Sequence, residues 1–206
     1  MAEGKPNEEI HPGVFHWKAV HPKLQIEVSS YLLADSATAI DPLLPPDGGL
    51  EVFRERAEPQ RVVLTNRHHL RHAPEIASEF GCPILCHEAG LHEFGGGPEV
   101  EGFGFGDEIA PGAVAHEVGV ICPEETALHI ASGEGLLAVA DGVINYDGLR
   151  FVPDHLLGDD PESIKQGLRA AYARLCDLEF QVILCAHGDP VLEGGQAALR
   201  EFTQTG

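Results

Sequence analysis

From Val62 the sequence runs Val-Val-Leu-Thr-Asn-Arg-His-His-Leu-Arg-His, so an apolar run gives way at Thr65 to three imidazoles and two guanidiniums within residues 67–72. Imidazoles bind divalent metals or carry protons, and guanidiniums hold carboxylates and developing oxyanions. Three further ligand-type residues each follow an apolar run: His116 after 112–115, Asp141 after 136–140 and His187 after 182–186. A strand that ends in a ligand-type residue, met four times in one chain, points to a single metal-binding rim.

The elements that must position these residues follow from periodicity and punctuation. Strands are expected at 14–20, 24–28, 30–34 and 37–42, forming an N-terminal meander, and a turn cluster at 45–49 precedes a helix over 50–57. A strand at 61–65, the histidine-rich loop, a helix over 73–80 and a strand at 83–86 make a β-loop-α-β unit. Residues 95–98, Gly-Gly-Gly-Pro, break the chain, 100–119 alternates weakly with a hairpin turn at 106–108, and 126–131 and 135–140 read as paired strands. The strongest helix is 161–175, with Asp159 and Asp160 as caps and Pro161 in the first turn. A strand at 181–185 and a helix at 195–202 end the chain. Two halves with strands inside and helices outside predict an α/β protein, a four-layer αββα sandwich.

Acidic residues outnumber basic ones 33 to 13, a formal charge of −20, so the surface field repels phosphate polymers and anionic lipid. That excludes nucleic acid and membrane as expected partners and leaves a small-molecule substrate; the N-terminal strands are compatible with a homodimer. No apolar run approaches the ~20 residues that span a bilayer, and the N-terminus has neither a basic nor an apolar leader segment. The chain is therefore expected to be cytoplasmic and a single domain over 1–206, with residues 1–10 loosely held. Five cysteines, an odd number set mostly in apolar runs, suit buried thiols. In a strand Cys82 and Cys86 would stand roughly 13 Å apart on one face, too far to chelate one ion.

With these residues in hand, the sequence from about Ser29 to Phe202 resembles the metallo-β-lactamase-fold superfamily. There a strand and a threonine are followed by H-x-H-x-D-H; here Thr65 is followed by Asn66-Arg67-His68-His69-Leu70-Arg71. Asp41-Pro42, His116-Glu117-Val118-Gly119 in place of His-Thr-Pro-Gly, Asp141 and Ala186-His187-Gly188 fall in the family's order. The resemblance implies a metal-dependent hydrolase in which a metal activates water against an ester, thioester or amide-type carbonyl.

Carried over residue by residue, the resemblance implies His68, His116, Asp141 and His187 as metal ligands. Asn66 stands for one histidine as a weak oxygen donor, while Leu70 and Arg71 break the second site. Three imidazoles and a carboxylate suit one Zn²⁺ or Fe²⁺ ion. Asp141 would also orient water, and Arg71 would hold a carboxylate or oxyanion. His69 and His72 are candidates to replace a missing ligand, His72 the better placed; otherwise His72 caps the next helix and His69 is a loop residue. The remaining histidines read as surface or hydrogen-bonded core residues. The competing reading is a binding or regulatory module of the same fold, without a metal, that holds a small anion in the degenerate site.

Overall fold

The computed structural model describes residues 7–204, and the chain forms two compact units, Met1–Phe103 and Gly104–Gly206. Of the ten N-terminal residues expected to be loosely held, 1–6 lie outside the described residues, whereas Glu8–His11 form strand β1 against β2 (Val14–Val20).

The first unit continues with β3 (Glu27–Leu33), β4 (Thr38–Ile40), α1 (Glu51–Arg56), β5 (Arg61–Leu64), α2 (Ala73–Phe80), β6 (Ile84–His87) and β7 (Glu101–Phe103). Its seven strands lie in chain order, antiparallel from β1 to β4 and parallel from β4 to β7. Parallel strands covered on both faces read as continuous apolar runs, and Val62, Val63 and Leu64 are all fully buried. Phe53 from α1 and Ile76 from α2 pack with Trp17, Val62, Leu64 and Ile84 on one face of the sheet. The Trp17 indole Nε1 donates to Leu43 O (2.6 Å), so its buried polar edge is satisfied.

Separate strands were expected at 24–28 and 30–34. A single β3 is found, and Leu24 to Ile26 form the tip of the β2–β3 hairpin. Gln25 has φ +56°, outside the strand region, and the reversal is closed by His21 N to Ile26 O (2.8 Å) and Gln25 N to His21 O (2.9 Å).

In the second unit, β8 (Glu108–Ala110), β9 (Ala113–Glu117), β10 (Thr126–Ile130), β11 (Leu136–Val139) and β14 (Val182–Cys185) form a sheet of order β14-β11-β10-β9-β8. Strands β12 (Ile144–Asn145) and β13 (Leu149–Arg150) make a small ribbon. The hairpin turn expected at 106–108 falls instead at Pro111-Gly112, between β8 and β9, where Gly112 supplies a φ of +72°. Helices α3 (Pro161–Leu175) and α4 (Gly195–Gln204) cover the sheet face carrying Ala127, Leu137, Val139, Ile183 and Cys185. The start of α3 is set by Asp160, whose Oδ1 accepts from Ser163 N (3.1 Å), and by Pro161 at the first helical position. All five cysteines are free thiols, and no described helix is long and apolar enough to cross a membrane.

Candidate metal centre

In the first unit the polar residues at the end of β5 converge on Asp41, just beyond β4. Asp41 Oδ1 accepts from Thr65 N (2.8 Å), and Oδ2 lies 2.5 Å from Thr65 Oγ1 and 2.9 Å from His69 Nδ1. Asp41 and His69 are 2% and 4% exposed. Burial alone would raise the Asp41 carboxyl, but the His69 charge and hydrogen bond, the Arg71 charge and the Thr65 hydroxyl together bring it below the ordinary value. An ionised Asp41 accepts from His69 Nδ1, so that when the imidazole gives up a proton the bond directs the lone pair to Nε2, the tautomer a metal requires.

Beside this network, Asn66 Oδ1 accepts from His68 N (2.9 Å) and caps the 3-10 turn Arg67–His69. Three residues per turn send His68 and His69 to different sides: His69 goes inward to Asp41, while His68 is exposed. Arg71, at φ +39°, donates from NH1 to Ser29 O (2.7 Å) and Asp41 O (2.6 Å), tying the motif loop to β3 and to the Asp41 backbone. His72 occupies the cap position of α2 without a side-chain cap bond; its Nδ1 instead accepts from Leu44 N (2.9 Å).

In the second unit His187 Nε2 lies 3.0 Å from Asp141 Oδ1, with side chains 14% and 25% exposed. Two latches hold this pair. Glu125 Oε1 accepts from Gly142 N (2.6 Å), which fixes the turn that follows Asp141. Asn145 N donates to His187 O (3.1 Å), and Gly188, at φ +88°, passes so close to β12 that an added Cβ would stand 1.9 Å from Asn145 O. Only glycine fits there. The Tyr172 hydroxyl, fully buried against the same turn, is pushed well above 10 by burial and by the Glu125, Cys185 and Asp141 charges.

His116 lies on β9. It sits opposite Ala127 in the β9–β10 ladder, its ring 6.1 Å from that of His129. Its imidazole pKa is lowered by burial and by the His129 charge. Of the residues singled out in the sequence, the structure thus brings Asp141 and His187 together, sets His116 beside His129, and turns His69 rather than His68 inward. Asn66 serves as a cap and Arg71 as a backbone clamp. Asp41, quoted above only as part of an Asp-Pro dipeptide, is the residue on which the first cluster is built.

No family profile and no curated protein matches the sequence. Solved structures do. A metallo-β-lactamase from Pontibacter korlensis matches with a TM-score of 0.69 at 15% identity, over 98% of this chain and 99% of that one. This chain has the metallo-β-lactamase fold. A metallo-β-lactamase from Hirschia baltica matches with a TM-score of 0.66 at 13% identity, covering 97% of each chain. TTHA1623, solved in a di-iron-bound form, matches with a TM-score of 0.62 at 18% identity over 94% of this chain and 96% of that one. The fold class expected from the sequence, the αββα sandwich of the metallo-β-lactamase type, is the one found. The donor chemistry within each half of this metallo-β-lactamase-fold chain suits a divalent ion: a buried imidazole held at Nδ1 by Asp41, and a part-buried imidazole–carboxylate pair.

Proposed function

We propose that the chain is a metal-dependent hydrolase-like protein that takes one divalent ion, Zn²⁺ or Fe²⁺, on His69, Asp141 and His187. The observation that carries this reading is the Asp41–His69 hydrogen bond, since an acceptor on Nδ1 both orients the imidazole and raises its basicity at Nε2. Leu70 has no ligand atom, and the Arg71 guanidinium is engaged with two backbone carbonyls, which supports one ion rather than two. When bound, a divalent ion supplies Lewis acidity toward water and toward a carbonyl oxygen. The chain's own part is to fix the ligand geometry: Asp41 holds His69, the Glu125 and Asn145 latches hold Asp141 and His187, and Arg71 pins the motif loop to the backbone at Ser29 and Asp41. An ester, thioester or amide-type small molecule is the substrate class that this chemistry fits. A cytoplasmic location belongs to the same proposal, on the five free thiols, and so does a small-molecule partner rather than nucleic acid, on the charge of −20.

One observation favours the second reading, a module that keeps the fold without hydrolysis: Asn66, at a ligand position by resemblance, has its carbonyl oxygen on His68 N. The two readings separate on chelator-stripped protein given Zn²⁺ or Fe²⁺ and assayed against a panel of esters, thioesters and lactams. Metal-restored turnover that His187→Ala abolishes supports the hydrolase. No uptake of metal and no turnover of any substrate supports the binding module.

A further inference from the structure

His116 and His129 stand on neighbouring strands of the second unit and belong to no part of the centre on His69, Asp141 and His187. In the β9–β10 ladder His116 pairs with Ala127 and His129 with Val114, so the two imidazoles are diagonal neighbours on one face of the sheet. Their ring centroids are 6.1 Å apart, with 74° between the planes. Two imidazoles on one ion, each metal–nitrogen bond about 2.0–2.1 Å long, have centroids roughly 5–6 Å apart, so a small side-chain rotation closes this pair on an ion. Both residues are part-exposed, which gives the ion a path from solvent. A formal charge of −20 raises the concentration of cations at the surface.

The hydrogen bonding prepares one of the two ligand atoms. His129 Nε2 lies 2.9 Å from Glu179 O, and a backbone carbonyl can only accept, so Nε2 carries a proton and Nδ1 of the neutral ring keeps its lone pair. Metal-ligating histidines are held in the same way, with the second nitrogen donating to a carbonyl or carboxylate. The Glu179 carbonyl is itself fixed. It packs so closely on Gly135 that an added Cβ there would stand 2.1 Å away, and Gln181 N donates to Gly135 O (3.0 Å).

We propose that His116 and His129 form a metal site of their own, a two-imidazole clamp across β9 and β10 that takes a divalent transition ion, Cu²⁺ most tightly, with solvent completing the coordination. Two neutral ligands without a carboxylate bind more weakly than the three-ligand centre, so the clamp fills at higher metal concentration. It shares no ligand with that centre and does not depend on it.

The full chain, stripped of metal by chelator, is titrated with Cu²⁺ by calorimetry at about pH 7.5, above the ordinary imidazole value, and pulsed EPR counts the coordinated imidazoles. His187→Ala removes a ligand of the other centre, so the result in that background is the same whether or not that centre takes metal. There one Cu²⁺ carrying two imidazoles is expected. Adding His116→Gln or His129→Gln should each weaken it roughly tenfold or more and leave a single imidazole on the ion. His155→Gln, in the 3-10 turn Asp154–Leu156, should leave it unchanged. Unchanged Cu²⁺ affinity in either ladder variant, an equal loss in His155→Gln, or no ion with two imidazoles in His187→Ala overturns the proposal. Should His187→Ala fail to fold, the ladder variants of the otherwise unmodified chain decide: each must take up less Cu²⁺ at saturation, and equal uptake overturns it.

Discussion

Asp41–His69 and Asp141–His187 are the same pair of side chains at nearly the same distance, 2.9 and 3.0 Å, in two different settings. The first is sealed, its carboxylate also bound by the amide and hydroxyl of Thr65. The second is partly open, its carboxylate 25% exposed. The difference separates two jobs. A sealed carboxylate with its acceptor sites filled cannot leave its partner and so acts as an orienting group. A more accessible one can be reached by a ligand as well as by its partner.

That contrast sets the scale of the expected effects. Asp41→Ala leaves the Thr65 amide and hydroxyl and His69 Nδ1–H buried without their acceptor, so it should cost about 3–5 kcal/mol in chemical denaturation. The same change at the more accessible Asp141 should cost less, and similar losses at both positions would erase the distinction. Next in size is the metal. A divalent ion at a hundredfold excess over Kd should stabilise the unmodified chain by about 2.7 kcal/mol, a melting shift of several degrees that chelation reverses. His187→Ala should remove that shift and His116→Ala should retain it.

Gly142→Ala probes the latch beside Asp141. An added Cβ would stand 2.7 Å from the Tyr172 hydroxyl and 2.8 Å from Glu125 Oε1, so a loss of about 1–3 kcal/mol is expected from overpacking. The smallest effect concerns pH. Folding lowers the His116 pKa through burial and the His129 charge. Between the folded value and the ordinary 6.5, the unfolded chain therefore binds more protons. Stability should fall slightly as pH drops below 6.5, and His116→Gln should flatten that part of the profile in thermal melts.

The readable parts of the sequence were those decided locally. Helix α3 begins at Pro161 because Asp160 caps it and proline suits its first turn, and both signals lie within four residues of chain. β5 was legible because a fully buried parallel strand needs an unbroken apolar run. The hairpin tip at 24–26 was not, because Leu24-Gln25-Ile26 keeps a strand's alternation while Gln25 adopts a positive φ. The choice between His68 and His69 was hidden for a different reason. Position within the motif favours His68, but the Asn66 cap winds a 3-10 turn, and Asp41, 28 residues upstream of His69, captures His69. His116 matched by order along the chain, and its pairing with His129 across the β9–β10 ladder was not visible in the sequence. A periodicity of two says which residues share a face of the sheet and not what that face meets.

The most direct measurement is the metal-induced melting shift of His69→Ala beside that of His68→Ala, each loaded with Zn²⁺ or Fe²⁺ after chelator treatment. If Asp41 holds His69 as the ligand, His69→Ala loses the shift and binds less than one equivalent of metal, while His68→Ala keeps both. Loss of the shift in His68→Ala with retention in His69→Ala would contradict the account.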